Sequence, residues 1–423
     1  MIMLPTKYKL SNRSSNSILS IVNQLETSRN QQISLIASEN RMSLKAMQAM
    51  ASDATNRYIL PKGDDKPEAI WDYPNQEIKL AIYDRACELA NEIFGSRYAE
   101  LRLLSGNNAA YCLMSSLTEQ GDNIFHVPDN CGGHFASEPI CAREGIGLND
   151  IPFDKQNGMI DIDALARLYK EKQPRFIFLD ASMTLFPYPL SEIRDVVGED
   201  AIIAYDASHV MGLIGGKHFQ DPLNEGANIL NGSTHKTLFG PQKGIILCRD
   251  IDYISTKIRD TVVPRFVSNA HLHHIAALGV AFEEILDYGR DYAAQVIRNA
   301  QTLAAYLDDN GVEVYSGKHG YTQSHQLWCI LGDQQKAMAA FRALEDVGIF
   351  VNMISVPFTS QYGLRCGVAE LTRRGFCEPE MIEVAKIFID CVLGNMPSTQ
   401  LKGQVTELST AFPGMTFCDE EIK

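Results

Sequence analysis

The chain has 423 residues, of which 45% are hydrophobic and 21% charged, values typical of a folded globular protein. The net charge of −14 argues against broad binding to nucleic acid or to an anionic membrane, because both need a basic surface. Ten scattered cysteines without a Cys-x-x-Cys pair indicate free thiols, so we expect a cytoplasmic protein. The N-terminus has no basic region followed by an apolar core, and no apolar run approaches about 18 residues, so we expect neither a signal peptide nor a membrane-spanning helix.

The N-terminal quarter predicts an arm, a loop and one long helix. Apolar residues recur at helical spacing between positions 18 and 25 of an otherwise polar segment, which favours an arm that packs on something else. Positions 61–74 are rich in charge, Pro and Gly and predict a loop. An amphipathic helix follows over 78–94 and should end at Gly95.

The middle of the chain alternates short apolar runs with helical patterns, which predicts a parallel α/β sheet. Ligands of such sheets bind at the carboxyl ends of the strands. The predicted strands are 123–127, 175–179 and 201–205, and the predicted helices between them are 162–171 and 190–197.

A long helix over 278–307 should lead into a second, smaller α+β domain. Its predicted strands are 327–331 and 363–367, and its predicted helices are 335–347 and 379–393. We therefore divide the chain into an N-terminal arm (1–55), a large domain (56–285) and a small C-terminal domain (286–423).

Two residues near strand ends suggest a particular cofactor chemistry. Lys236 follows Ser233-Thr234-His235, and a lysine at the mouth of an α/β sheet suits a Schiff base with an aldehyde. Asp206 follows an apolar strand and could keep a pyridine nitrogen protonated, as pyridoxal phosphate (PLP) requires. Separately, each has an ordinary alternative, because most lysines are solvated and an aspartate commonly caps a turn.

Three further motifs fit the same cofactor. Ser105-Gly106 precedes a helix and could bind a phosphate, although ordinary N-capping gives the same pattern. His134 follows two glycines and could stack on a flat ring, whereas a lone histidine is usually structural. Arg365 could bind a carboxylate bidentately, with a surface salt bridge as its alternative. The order of all five signals along the chain is more specific than any one of them.

The chain resembles serine hydroxymethyltransferase, a PLP-dependent enzyme of fold type I. The resemblance runs from about Ile33 to Ile389, and it implies an aspartate aminotransferase-like large domain with a mainly parallel sheet. The matching motifs are Leu35-Ile36-Ala37-Ser38-Glu39-Asn40, Gly132-Gly133-His134, Asp206-x-x-His209, Thr234-His235-Lys236-Thr237-Leu238 with Gly240-Pro241, and Thr372–Phe376.

This resemblance implies a role for each matching residue. Catalysis would involve Lys236, which forms the internal aldimine, Asp206 at the pyridinium nitrogen, and His134 stacked on the ring. The other cofactor-binding positions would be Ser105, Gly106 and Asn107 at the phosphate (Asn107 replacing a family serine), Ser182 and His209 near the phenolic oxygen, His235, and Tyr58 from a neighbouring subunit. Substrate-binding positions would be Ser38, Arg365, Tyr58 and Tyr73, and no metal is implied.

The departures from the family fall in its folate-binding half. Leu60 stands where the family has a catalytic glutamate, and leucine cannot transfer a proton. Ile354 aligns with an asparagine that contacts folate. Together with Asp72, Asp129 and Phe135, these positions are expected to line the pocket of the second substrate.

The chain keeps the family's PLP-binding residues but not its folate-binding residues, and in this it resembles the folate-independent L-threonine transaldolases. The expected reaction transfers glycine from threonine to an acceptor aldehyde through a glycine quinonoid, which gives a β-hydroxy-α-amino acid. Serine hydroxymethyltransferase activity and threonine aldolase activity are the alternatives, and a PLP-binding protein without catalysis is a further one. The resemblance also implies a homodimer with shared sites, whose partners are an amino acid and an aldehyde rather than nucleic acid or membrane.

Overall fold

A computed structural model describes residues 17–59 and 73–419 of the chain. The helices are α1 (Ile18–Arg29), α2 (Leu44–Met50), α3 (Glu77–Phe94), α4 (Gly106–Leu117), α5 (Ser137–Glu144), α6 (Ile162–Lys172), α7 (Leu190–Val197), α8 (Met211–Gly215), α9 (Tyr253–Thr261), α10 (Leu272–Asp309), α11 (Gln334–Val347), α12 (Ala369–Arg373), α13 (Glu378–Val392) and α14 (Ser398–Thr410). The strands are β1 (Ile33–Ser34), β2 (Tyr98–Glu100), β3 (Asn123–His126), β4 (Gly147–Asp150), β5 (Phe153–Asp154), β6 (Met159–Ile160), β7 (Phe176–Leu179), β8 (Ile202–Asp206), β9 (Ile229–Ser233), β10 (Gly244–Cys248), β11 (Gln326–Gly332), β12 (Ile349–Phe350), β13 (Asn352–Ser355) and β14 (Tyr362–Gly367).

The central sheet has the strand order β2-β10-β9-β8-β7-β3-β4. Strands β9, β8, β7, β3 and β4 pair in parallel, and β10 runs antiparallel to both of its neighbours. The four residues of β7, Phe-Ile-Phe-Leu, are all buried, as expected when helices cover both faces of a parallel sheet. The α/β class with a mainly parallel sheet is thereby confirmed.

The predicted helices in the first half have sharp ends with local causes. Helix α3 ends at Gly95, which adopts a left-handed conformation with φ of +68° that glycine tolerates without steric cost. Helix α7 begins and ends at the predicted residues, 190 and 197. Most of the loop predicted over 61–74 lies outside the described residues.

The C-terminal part adds a three-stranded antiparallel sheet of order β11-β14-β13. Helix α10 is longer than the predicted 278–307 and leads into this sheet. The boundary that we place at 285/286 falls within α10, so one helix would serve both proposed domains. The division into domains stays a prediction.

The N-terminal segment pairs with the C-terminal part of the chain. Strand β1 pairs in parallel with β12, and the backbone N–H of Gly367 at the end of β14 donates to Leu35 O at 2.8 Å. Helix α1, confirmed at the start of this segment, buries none of its residues and leaves Ile18 and Leu19 exposed. Within the described ranges, no helix is both long enough and apolar enough to cross a bilayer.

Candidate active site

An acidic residue, Asp206, and a basic residue, Lys236, lie at the carboxyl ends of β8 and β9. Asp206 is the last residue of β8, and its two carboxylate oxygens accept from Ser208 N at 2.8 Å and from Asn231 Nδ2 at 3.0 Å. Asn231 lies on the neighbouring strand β9, so sheet pairing fixes the orientation of the carboxylate. The carboxylate is therefore held in place before any ligand binds.

Lys236 follows β9 by three residues and lies close to Asp206. Its Nζ donates to Ser233 Oγ, and its carbonyl accepts from Asn40 Nδ2 at 2.8 Å. Burial lowers the pKa of Lys236 to about 8, and the Arg365 guanidinium adds to this effect while the Asp206 carboxylate opposes it. A larger fraction of neutral amine at neutral pH is what nucleophilic attack on an aldehyde needs.

The start of α4 forms a cradle beside Lys236. Ser105 caps this helix, since its Oγ accepts from Asn108 N at 3.1 Å, and Asn107 is exposed in the first turn. A Cβ at Gly106 would lie 3.0 Å from Ser233 N and 3.2 Å from Ser208 Oγ. Glycine thus lets the start of α4 approach Ser233 and Ser208 closely, and a helix N-terminus is the environment that a phosphate prefers.

His134 lies in the loop after β3, where its backbone N–H donates to Asp180 O at 2.8 Å. Burial lowers the pKa of His134; Asp206 opposes this effect, whereas Lys236 adds to it. Its Nδ1 accepts from Ala136 N at 3.3 Å, so the neutral ring carries its proton on Nε2. The ring also packs on Phe135 with a centroid separation of 4.6 Å.

Arg365 on β14 faces the same region from the second sheet. Its Nη2 donates to Asn352 Oδ1 at 2.9 Å and its Nη1 to Ser182 O at 3.3 Å, whereas its buried Nε has no partner among the described residues. Burial lowers the pKa of Arg365 to about 10, which leaves it cationic near neutrality. No carboxylate of the described chain is among these partners, so the guanidinium keeps bonding capacity for an anion.

Ser38 is half-buried in the segment that runs between the two sheets. Gly367 N bonds to Leu35 O on one side of this segment, and Asn40 Nδ2 reaches Lys236 O on the other. These contacts hold Ser38 between the strand of Arg365 and the loop of Lys236. The sequence alone could not show this, because the two partners lie about 200 and 330 positions further along the chain.

His209 and His235 lie near Lys236, whose charge contributes to a lower pKa of both rings. His209 is fully buried, and its carbonyl accepts from Thr237 Oγ1 at 2.9 Å. Burial lowers the pKa of His235 to about 4, and its Nδ1 has no hydrogen-bond partner in the part of the chain that the structure describes. An unpartnered buried nitrogen is available to a polar ligand.

Tyr58 and Tyr73 lie together at the surface. Their ring centroids are 5.2 Å apart, and Tyr58 is 48% exposed. Ile59 N, next in the chain, donates to Asn269 Oδ1 at 3.1 Å, which fixes this segment against the start of α10. Leu60 and Asp72 lie outside the described residues.

The sequence analysis did not predict several polar residues of the site. Asn231 and Asn352 orient Asp206 and Arg365, and His325 contacts His209. The alternation of β9 could have indicated Asn231, because a polar residue fully buried in a strand needs a partner. His325 and Asn352 gave no such signal, since their partners are distant in sequence.

These residues fit PLP. A buried lysine of lowered pKa, an oriented carboxylate and a cradle at a helix N-terminus supply partners for the aldehyde, the pyridine nitrogen and the phosphate. The nitrogens of His235 and Arg365 that have no partner among the described residues add bonding capacity near Lys236.

One solved structure defines the class of protein. The crystal structure of an L-threonine transaldolase from Pseudomonas fluorescens in its internal aldimine state superposes with a TM-score of 0.92 at 32% identity, and the match covers 96% of this chain and 94% of that one. The fold is therefore that of a fold-type I PLP-dependent enzyme.

Sequence comparison gives the family. The family model for serine hydroxymethyltransferase matches residues 12–388. Serine hydroxymethyltransferases of Picrophilus torridus and Methanopyrus kandleri are 38% and 37% identical, over 92% and 89% of this chain and 91% and 89% of their own lengths. The chain belongs to the serine hydroxymethyltransferase family and is a PLP-dependent transferase, as the resemblance implied.

Proposed function

We propose that this enzyme is an L-threonine transaldolase that works without folate. The Cα–Cβ bond of threonine breaks, acetaldehyde leaves, and the glycine unit forms a new Cα–Cβ bond with an acceptor aldehyde. The acceptor oxygen takes up a proton in place of the one that the threonine hydroxyl lost, so the product is a β-hydroxy-α-amino acid.

The observation that carries this proposal is the environment of Ile354. This residue stands where the family resemblance places a folate-contacting asparagine, and it packs against an apolar cluster that includes Trp328 and Val356. An aliphatic side chain in such a cluster cannot hydrogen-bond a pterin. The likeness to the Pseudomonas fluorescens transaldolase supports the same conclusion.

The roles of the site residues are proposed from their geometry. PLP, when bound, supplies an electron sink for the electron pair released at Cα. Lys236 attaches the cofactor through its amine, and Asp206, held by Asn231 and Ser208, keeps the pyridine nitrogen protonated. Ser105, Gly106 and Asn107 bind the phosphate, His134 stacks on the ring, and Ser182, His209 and His235 complete the cofactor contacts.

Arg365 and Ser38 bind the carboxylate of the amino acid. Because Asn352 and Ser182 hold the guanidinium, the carboxylate position is fixed and with it the direction of the Cα–Cβ bond. The neutral His134 ring has its Nδ1 lone pair engaged by Ala136 N, so it offers an N–H and not a base. We therefore assign the hydroxyl proton of threonine to a water molecule.

Serine hydroxymethyltransferase activity is the second candidate, and the names of the 38% and 37% identical relatives favour it. Threonine aldolase activity, in which a proton replaces the acceptor aldehyde, needs the same residues. We further propose a cytoplasmic homodimer in which Tyr58 and Tyr73 reach the partner's site. Leu60, Asp72, Asp129, Phe135 and Ile354 would line the aldehyde pocket.

Two assays with the purified holoenzyme test the proposal. Threonine with a panel of aliphatic and aromatic aldehydes should yield acetaldehyde and new β-hydroxy amino acids in equal amounts, without added tetrahydrofolate. Serine with tetrahydrofolate should yield little glycine. Conversion of serine that depends strictly on tetrahydrofolate, with no product from the aldehyde panel, would instead establish the second candidate.

A further inference from the structure

A buried pair of histidines links the cofactor side of the pocket to the substrate side. His209 and His325 stack with ring centroids 5.4 Å apart and an interplanar angle of 17°. His209 Nδ1 lies 3.4 Å from His325 Nε2, and the same Nε2 lies 3.1 Å from Ala37 O. Both rings are buried, and Ala37 immediately precedes Ser38.

The carbonyl of Ala37 decides where the protons of this pair lie. A carbonyl oxygen only accepts, so the contact with Ala37 requires an N–H on Nε2 of His325. The same N–H then points between Ala37 O and His209 Nδ1, which must be an unprotonated acceptor. The opposite arrangement would place the Nε2 lone pair of His325 against a carbonyl oxygen and leave a buried Nδ1–H without a partner.

Burial and the neighbouring cations keep both rings neutral. Burial is the main cause that lowers the pKa of His209 well below its ordinary value, and Lys236, Arg365, His325 and His134 add to this effect. Burial likewise lowers the pKa of His325 to about 3. A neutral His209 with an unprotonated Nδ1 carries its only proton on Nε2.

We propose that His325 is a positioning residue that fixes the proton of His209 on Nε2, so that His209 offers an N–H donor to the phenolic oxygen of PLP. This role rests on the proposed placement of His209 beside that oxygen. His325 is well placed to hold this tautomer, because Val368 N donates to its carbonyl at 3.1 Å and Ala37 O fixes its ring. Thr237 Oγ1 bonds to His209 O and fixes the other partner.

Three substitutions distinguish this hydrogen-bonding role of His325 from a role in packing alone. In His325→Gln the amide nitrogen can replace Nε2–H, in His325→Asn it reaches only the position of Nδ1, and in His325→Leu no donor remains. The first measurement is the ¹⁵N chemical shifts of His209 in the ¹⁵N-histidine-labelled holoenzyme, assigned with His209→Gln. The second is the pH midpoint of the visible absorbance of the bound cofactor.

We expect the wild-type enzyme to carry the His209 proton on Nε2, and His325→Gln to keep both that assignment and the absorbance midpoint. His325→Asn and His325→Leu should raise the midpoint by about one pH unit, because a hydrogen bond to an ionised oxygen favours its charged form. A proton on Nδ1 of His209 in the wild type, or equal midpoints for His325→Gln and His325→Leu, would overturn the proposal.

The test remains decisive if His325→Leu does not fold, because His325→Asn also lacks a donor at the position of Nε2 and can be compared with His325→Gln in its place. It is also independent of the second substrate. An enzyme that converts serine and tetrahydrofolate instead of threonine and aldehyde would refute the proposed function and leave the expected tautomer and midpoints unchanged.

Discussion

At the scale of single residues, the pair of Lys236 and Asp206 determines how the apoenzyme takes up its cofactor. Attack on the PLP aldehyde needs the neutral amine, and burial lowers the pKa of Lys236 to about 8. The rate of attachment should therefore rise with pH and level off above a midpoint near this value. Because the Asp206 carboxylate raises the pKa of Lys236, Asp206→Asn should move the midpoint to lower pH.

Stopped-flow absorbance of the apoenzyme mixed with PLP measures this midpoint. Lys236→Ala is the control and should show no covalent attachment at any pH. A midpoint that does not change in Asp206→Asn would mean that the two groups do not interact in the protein.

The carboxylate clamp permits a second prediction at this scale. Arg365→Ala should raise the KM for threonine by about 100-fold, because a charge-assisted pair with the substrate carboxylate is lost. Asn352→Ala removes only the side chain that holds Nη2, at 2.9 Å, and should raise KM less than Arg365→Ala does. Steady-state kinetics with threonine measures both, and cofactor absorbance should be retained in each. Equal KM values for wild type and Arg365→Ala would place the carboxylate elsewhere.

At the scale of elements, local patterns predicted the helices and strands that form around the site. Helix α7 and strand β7 agree with their predictions to within one residue, because capping residues and continuous burial are encoded locally. Strand β10 was not predicted although its five residues form a continuous buried run, and its antiparallel pairing with β9 is decided by the sheet and not by its own sequence. Contacts between elements, such as that of His325 with Ala37, require the folded chain for the same reason.

The contact between β14 and the N-terminal segment supplies a prediction about two elements. A Cβ at Gly367 would lie 2.4 Å from Ala37 Cα, so Gly367→Ala must separate the strand of Arg365 from the segment of Ser38. We expect a raised KM for threonine with the cofactor still bound, and a loss of about 1–3 kcal/mol in the free energy of unfolding. Kinetics and urea unfolding measure the two effects.

Gly403→Ala is the matched control for this substitution. Gly403 lies inside α14, and an added Cβ there meets no atom within 4 Å. Alanine should stabilise this helix by up to about 1 kcal/mol and leave KM unchanged. If Gly367→Ala also left KM unchanged, Ser38 and Arg365 would not act together on one carboxylate.

At the scale of the whole molecule, the surface position of Tyr58 bears on whether one chain contains all the residues of an active site. Lys236 and Arg365 interact within a single chain, whereas Tyr58 packs on Tyr73 and is 48% exposed. An exposed tyrosine is typical of a protein–protein interface, where this residue type is enriched. If Tyr58 serves the partner's site, one chain supplies the lysine and the arginine and the other supplies the tyrosine.

Hybrid dimers test this arrangement. Lys236→Ala and Tyr58→Ala should each be nearly inactive alone. After their subunits exchange in equal amounts, half of the dimers are hybrids, and each hybrid has one site without either substitution. Transaldolase activity should then recover to about one quarter of the wild-type value, as expected for a twofold dimer.

A mixture of Lys236→Ala with Arg365→Ala is the control and should recover no activity, because both residues belong to the site of one chain. No recovery in the first mixture would assign Tyr58 to the site of its own chain.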